Sequence, residues 1–152
     1  MMTEKTERKP KHPAIIYLRQ YADMKLRLDD LKEELLMIRE NATRATGRYT
    51  AERMSGTSSH DSMANAAVRA VEVERKLERC IHNIQEALDI RVGIIEQMKD
   101  EREKTLLTEM YINNRSPEEI QSRMFISRAT LWRIHGYALE HFWEIYKQNN
   151  VL

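Results

Sequence analysis

The side chains best placed to do chemistry in this chain are three arginines. Arg123, Arg128 and Arg133 are the charged residues between Ile120 and Tyr137, a window without Asp or Glu in a sequence where acids are frequent on both sides. A guanidinium keeps its charge at any physiological pH. Its planar fork can pair with phosphate oxygens or donate two hydrogen bonds to O6 and N7 of guanine. The formal net charge of the 152-residue chain is only +1, so attraction to a polyanion has to come from this local placement and not from bulk charge.

Other reactive residue types are present without the spacing that chemistry needs. The five histidines (His12, His60, His82, His135, His141) are scattered. Cys80 and His82 are two apart and point to different sides of a helix, and His135 and His141 are six apart and poorly aligned, so no metal site is expected. There is no glycine-rich phosphate loop and no serine or cysteine with a recognisable base, so neither an enzyme nor a cofactor is expected. Cys80 is the sole cysteine, which excludes an intramolecular disulfide framework. No run approaches the roughly 18 apolar residues of a membrane span, and no secretory signal pattern is seen; a cytoplasmic protein of a bacterial host, without membrane contact, is the expectation.

The elements that must position the arginines are helices. With 32% charged residues, 41% hydrophobic, 4 Gly and 3 Pro, the composition suits an all-α fold. Residues 1–13 hold Lys5, Arg8, Lys9, Lys11, Pro10 and Pro13 and read as a flexible basic arm. From Ala14 an a/d seam begins: Ala14, Tyr17, Tyr21, Met24, Leu28, Leu31, Leu35, Ile38, Ala42 and Ala45 alternate spacings of three and four, with charged residues between them. Gly47, Gly56 and the cluster Ser55, Thr57, Ser58, Ser59 predict a loop over 46–62. A second seam runs through Met63, Ala67, Ala70, Val71, Leu77, Ile81, Ile84, Leu88, Ile95 and Met98, interrupted by Glu74 and Arg91. These two read as edge positions reaching solvent, with a buried pair or a register device as the alternative.

Residues 14–98 are thus expected to form a long antiparallel, coiled-coil-like helical hairpin. Helices of roughly 45 to 55 Å are too long to bury their stripes in a small globule. Pairing them leaves Ile16, Val71, Val73 and Ile90 without an obvious partner, so a homo-oligomer is expected, a dimer being favoured.

Residues 99–152 carry three shorter helices. The first runs from about Asp100 to Ile112, with Leu106, Leu107, Met110 and Tyr111 as its apolar face. Ser116-Pro117-Glu118-Glu119 is a capping box with proline at the first helical position, opening a short helix to Met124. Ser127 then caps a longer helix whose inner positions are Leu131, Ile134, Ala138, Leu139, Phe142 and Ile145, while Arg128, Thr130, Trp132 and Arg133 begin the opposite face. Phe142, Trp143 and Tyr146 read as packing residues and not as base-stacking platforms. A short capped helix, a tight turn and a longer helix with arginines in its first turns is the geometry by which a recognition helix enters a DNA major groove.

The stretch from Arg102 to Phe142 resembles region 4 of bacterial sigma factors over about 40 residues, through Ser-Pro-Glu-Glu-Ile and Ile-Ser-Arg-Ala-Thr-Leu-Trp-Arg-Ile-His-Gly-Tyr. The resemblance implies that Arg128, Ala129, Trp132 and Arg133 face bases, with Ser127 as the cap; Thr130 and Tyr137 complete the expected DNA-binding set. Two positions depart from the family: Gln121 replaces a small alanine, and Phe125 stands where the turn often has glycine. Nothing in the chain resembles the sigma region that melts promoters. The charged helix followed by Met54-Ser55-Gly56-Thr57, Asp61 and Met63-Ala64 is similar to small phage regulators of the ArpU and RinA late-gene activator type. Together these imply a sequence-specific, phage-type transcriptional regulator that binds double-stranded DNA, with RNA polymerase a second candidate contact. The rivals are a small terminase subunit for DNA packaging and an interaction module that binds no DNA.

Overall fold

The structure is a computed structural model that describes residues 11–51 and 58–150, the side chains of 45–51 and 58–62 excepted. Among the described residues the chain is all-helical and has no strand. Its elements are α1 (Pro13–Ala51), α2 (Ser58–Gln97), α3 (Glu101–Leu107), a π-helical turn over Thr108–Ile112, α4 (Pro117–Met124) and α5 (Arg128–Asn150). Residues 1–10 of the expected arm lie outside the described residues. Pro13, placed in that arm by the sequence, instead opens α1, where its fixed φ and missing N–H suit a first helical position. His12 Nδ1 accepts the Ala14 N–H at 3.1 Å beside it.

The expected loop over 46–62 is shorter than its composition suggests. α1 runs on to Ala51 and α2 begins at Ser58, so Gly47 sits inside a helix. One interior glycine costs only about 1 kcal/mol relative to alanine, too little to stop a long helix that gains a hydrogen bond with every residue added. The Met54–Thr57 motif lies outside the described residues.

Contacts divide the chain into two compact units, Asp23–Glu86 and a second made of Met1–Ala22 with Ala87–Leu152. The division falls within α1 and α2, each of which contributes to both. In the Asp23–Glu86 unit the core is thin: Leu31, Leu35 and Val73 are buried, flanked by Ile38, Ala70, Leu77 and Cys80. The two helix segments run in opposite directions, since Arg39 Nη2 meets Glu74 Oε1 at 2.7 Å while Cys80 Sγ lies 3.9 Å from the Met24 carbonyl.

The seam expected on α1 matches the buried stripe here. The one on α2 is shifted: Val73 is buried while Val71 and Ile81 are exposed, because both stripes carry apolar residues at helical spacing and only the partner helix selects between them. Glu74 is half-exposed and paired with Arg39, not with Arg91.

The second unit holds two clusters. Leu18, Ile94, Leu107, Leu139 and Phe142 centre the larger one, and Leu106, Ile120 and Leu131 tie α3, α4 and α5 together in the smaller. Asp100, expected inside the first short helix, is instead its N-cap, its carboxylate accepting from the Arg102 and Glu103 N–H groups. Arg91, expected at a solvent edge, is buried at 3% exposure. Its Nη1 donates to the Ala87 carbonyl at 2.9 Å and its Nη2 to the Tyr17 carbonyl at 2.6 Å, and its guanidinium lies 4.1 Å from the Tyr17 ring centroid. Nε has no hydrogen-bond partner. Burial lowers the arginine from its ordinary range, opposed by Tyr17, Tyr146 and Tyr21.

A buried cation with one unmet donor is held by its stem packing and its tyrosines as much as by its charge. Arg91→Met, which keeps the stem and removes the charge, should stay within about 1 kcal/mol of the parent. Arg91→Ala, which also opens a cavity, should lose about 2–4 kcal/mol. Urea unfolding of both variants checks this, and equal losses would show that the charge itself carries the stabilisation.

Candidate nucleic-acid interface

Local sequence builds the α4–turn–α5 segment. Ser116 Oγ accepts the Glu119 N–H at 3.2 Å and Glu119 Oε2 accepts the Ser116 N–H at 3.3 Å, so the capping box forms reciprocally with Pro117 opening the helix. α4 ends at Phe125, which adopts a left-handed conformation, φ 54°. The Phe125 N–H and the Ile126 N–H both reach the Gln121 carbonyl, a closure of the kind that left-handed residues give helix ends. Ile126 then packs with Ile120 and Leu131. Phe125 therefore keeps the backbone shape that glycine adopts without strain, and its ring is 92% exposed.

Ser127 starts α5. Its Oγ accepts the Thr130 N–H at 3.2 Å and its hydroxyl donates to Thr130 Oγ1 at 2.9 Å. Ser127 and Thr130 thus engage each other at the helix start. Beyond them Arg128, Ala129, Trp132, Arg133 and Tyr137 are all exposed, while Leu131, His135, Ala138, Leu139 and Phe142 are buried. Arg128 and Arg133 form no ion pair among the described residues. Arg123 does: Arg115 and Arg123 converge on the mostly buried Glu109 carboxylate at 2.5 and 3.0 Å, which fastens the end of α4 to the π-helical turn and removes Arg123 as a free cation.

Sequence reasoning missed His135, which sits in the inner stripe between Leu131 and Ala138 and is only 8% exposed. The Tyr111 hydroxyl and His135 Nε2 are hydrogen-bonded at 2.7 Å, and the two rings stack with centroids 6.0 Å apart. Trp132 meets His135 edge-on at 5.3 Å. Burial pushes the imidazole down to about 4, helped by the charges of Arg19 and His12, and burial raises the Tyr111 phenol against the opposing pull of Arg19. Tyr111 is delivered by the π-helical turn, closed by Asn113 N–H to the Thr108 carbonyl at 2.9 Å. The extra residue in such a turn rotates the chain beyond it relative to a continuous α-helix.

A family model described as "Protein of unknown function (DUF1492)" matches residues 47–142. The chain belongs to this family. The matched stretch takes in α2 to the buried part of α5, so the capping box, the Phe125 turn and the Tyr111–His135 pair all lie within the DUF1492 region. Comparison with curated proteins and with solved structures gives no match. Among the described residues no helix is long and apolar enough to cross a membrane, and no three His, Cys, Asp or Glu residues converge as metal ligands do.

The buried imidazole makes this DUF1492 chain acid-sensitive in a definite window. Its folded-state value of about 4 lies below the roughly 6.5 of a free imidazole, so the unfolded chain takes up the proton first. The stability it contributes is complete above about pH 6.5 and is lost as pH falls towards 4. Allowing for partial solvation, the loss at pH 5 should be on the order of 1 kcal/mol. Thermal melting at pH 7 and pH 5 should show a larger drop for the parent than for His135→Gln, which has no imidazole to protonate. Equal drops would assign the acid sensitivity to carboxylates.

Proposed function

We propose that this chain is a sequence-specific DNA-binding regulator of transcription, of phage or prophage type, in which α4 and α5 act as a helix-turn-helix and α5 lies in the major groove. One observation carries the reading: the outer face of α5 presents Arg128 and Arg133 unpaired on either side of Trp132, with no acid between Ile120 and Tyr137. A solvated surface helix ordinarily interleaves both signs and pairs them. The capped start at Ser127 and the resemblance of this stretch to sigma region 4 support the same reading, with Ala129 and Tyr137 at the edge of the face.

In the Asp23–Glu86 unit the antiparallel segments of α1 and α2 expose Leu26, Leu36 and Met37, which suit self-association into a dimer. Dimerisation matters because the two arginines on the outer face of one α5 release few counterions, so a single module binds weakly. Linking two half-sites raises the effective concentration of the second contact. RNA polymerase is the further partner of such a regulator.

Selection from random duplex DNA with the full chain should yield a preferred sequence. On it, Arg128→Ala and Arg133→Ala should each weaken binding by about 1–3 kcal/mol and relax preference at one base pair. The parent affinity should fall with salt by about 0.9 log units per log unit of salt for each phosphate neutralised. Failure to enrich any sequence, or unchanged affinity in both folded variants, would remove the DNA-reading role.

A further inference from the structure

Beside α5 lies a cleft that shares only Trp132 with the face assigned to DNA. It has a volume of about 320 Å³ and is lined by Arg19 of α1, by Tyr111, Asn114 and Arg115 at the end of the π-helical turn, and by Trp132 and His135 of α5. That volume is at the small end of ligand sites, enough for one substituted ring. We propose that this cleft binds a small planar organic anion, an aromatic carboxylate in chemical class.

Each wall contributes to that choice. Trp132 is 43% exposed although it packs edge-on against His135, so the cleft has an aromatic wall still available for a flat ring. Arg115 is committed to Glu109, which leaves Arg19 as the cation at the cleft that has no ion pair among the described residues. Its charge is felt there: it adds to the lowering of His135 and opposes the rise that burial imposes on Tyr111.

His135 lines the cleft with its ring held by the hydrogen bond between Nε2 and the Tyr111 hydroxyl. A carboxylate offers the acceptor that the Arg19 guanidinium lacks, and its ring offers the face that Trp132 can cover. The backbone around the cleft departs from helix regularity in two places, the π-helical turn and Asn114 at φ 53°. Such departures concentrate where function requires them.

Trp132 belongs both to this cleft and to the face assigned to DNA, so an occupant would alter that face; this consequence rests on the DNA reading, whereas the binding itself does not.

The test uses the full chain, with the indole N–H resonances of Trp132 and Trp143 followed by NMR during titration with benzoate, nicotinate and indole-2-carboxylate, and with the neutral amide of each. At least one carboxylate should shift the Trp132 resonance saturably, leave Trp143 in place, and bind about tenfold or more tightly than its amide. Arg19→Gln, an exposed and structurally mild change, should erase that preference while keeping the parent's circular dichroism. No saturable shift with any of the three carboxylates would overturn the proposal. So would acids and amides binding alike in the parent, or a preference that survives Arg19→Gln.

Discussion

The hydrogen bond between Tyr111 and His135 is the constraint on which the outer face of α5 depends. A histidine placed in the apolar stripe of a helix has to be buried with a partner or not at all, since an unmet polar group in a core costs about 1–3 kcal/mol. Tyr111 meets that need at 2.7 Å from the π-helical turn. The pair therefore ties the inner face of α5 to that turn. With Leu131, Ala138, Leu139 and Phe142 buried alongside, Arg128, Trp132 and Arg133 are left on the outside. The chemistry of the outer face is set by what the inner face had to satisfy.

The same division between local and long-range causes explains what could be read in advance. The capping box at Ser116 and Glu119, proline at the start of α4 and the Ser127 cap are contacts three residues apart or less, and each stands where the sequence predicted it. Phe125 was legible as an oddity and not as a solution: the turn needed a left-handed residue, and the chain accepts a strained phenylalanine at φ 54°. Arg91 and His135 were not legible, because a charged or polar residue in a stripe reads as a solvent edge until its distant partners, Tyr17 and Tyr111, are known. The shift from Val71 to Val73 on α2 has the same origin. Glycine and serine around 46–62 over-weighted the loop, since composition registers propensity and not the cooperativity of two helices of 39 and 40 residues.

Electrostatics in this molecule is a matter of which cations remain unpaired. Arg39, Arg115 and Arg123 each find a carboxylate, and Arg91 finds carbonyls and tyrosines. Arg128 and Arg133 on α5, and Arg19 beside the Tyr111–His135 pair, have none among the described residues. With a net charge of +1, recognition of an anion has to be made by such single residues in fixed places, which favours a specific contact over general adhesion.

The most direct test of DNA recognition by α5 is to titrate the isotopically labelled full chain with the duplex it selects and map the amide resonances that move. Shifts concentrated between Ser127 and Tyr137, strongest at Arg128, Trp132 and Arg133 and fading as salt is raised, are the expected result. Shifts confined to α1 and α2, or none at a DNA concentration that saturates binding, would contradict it.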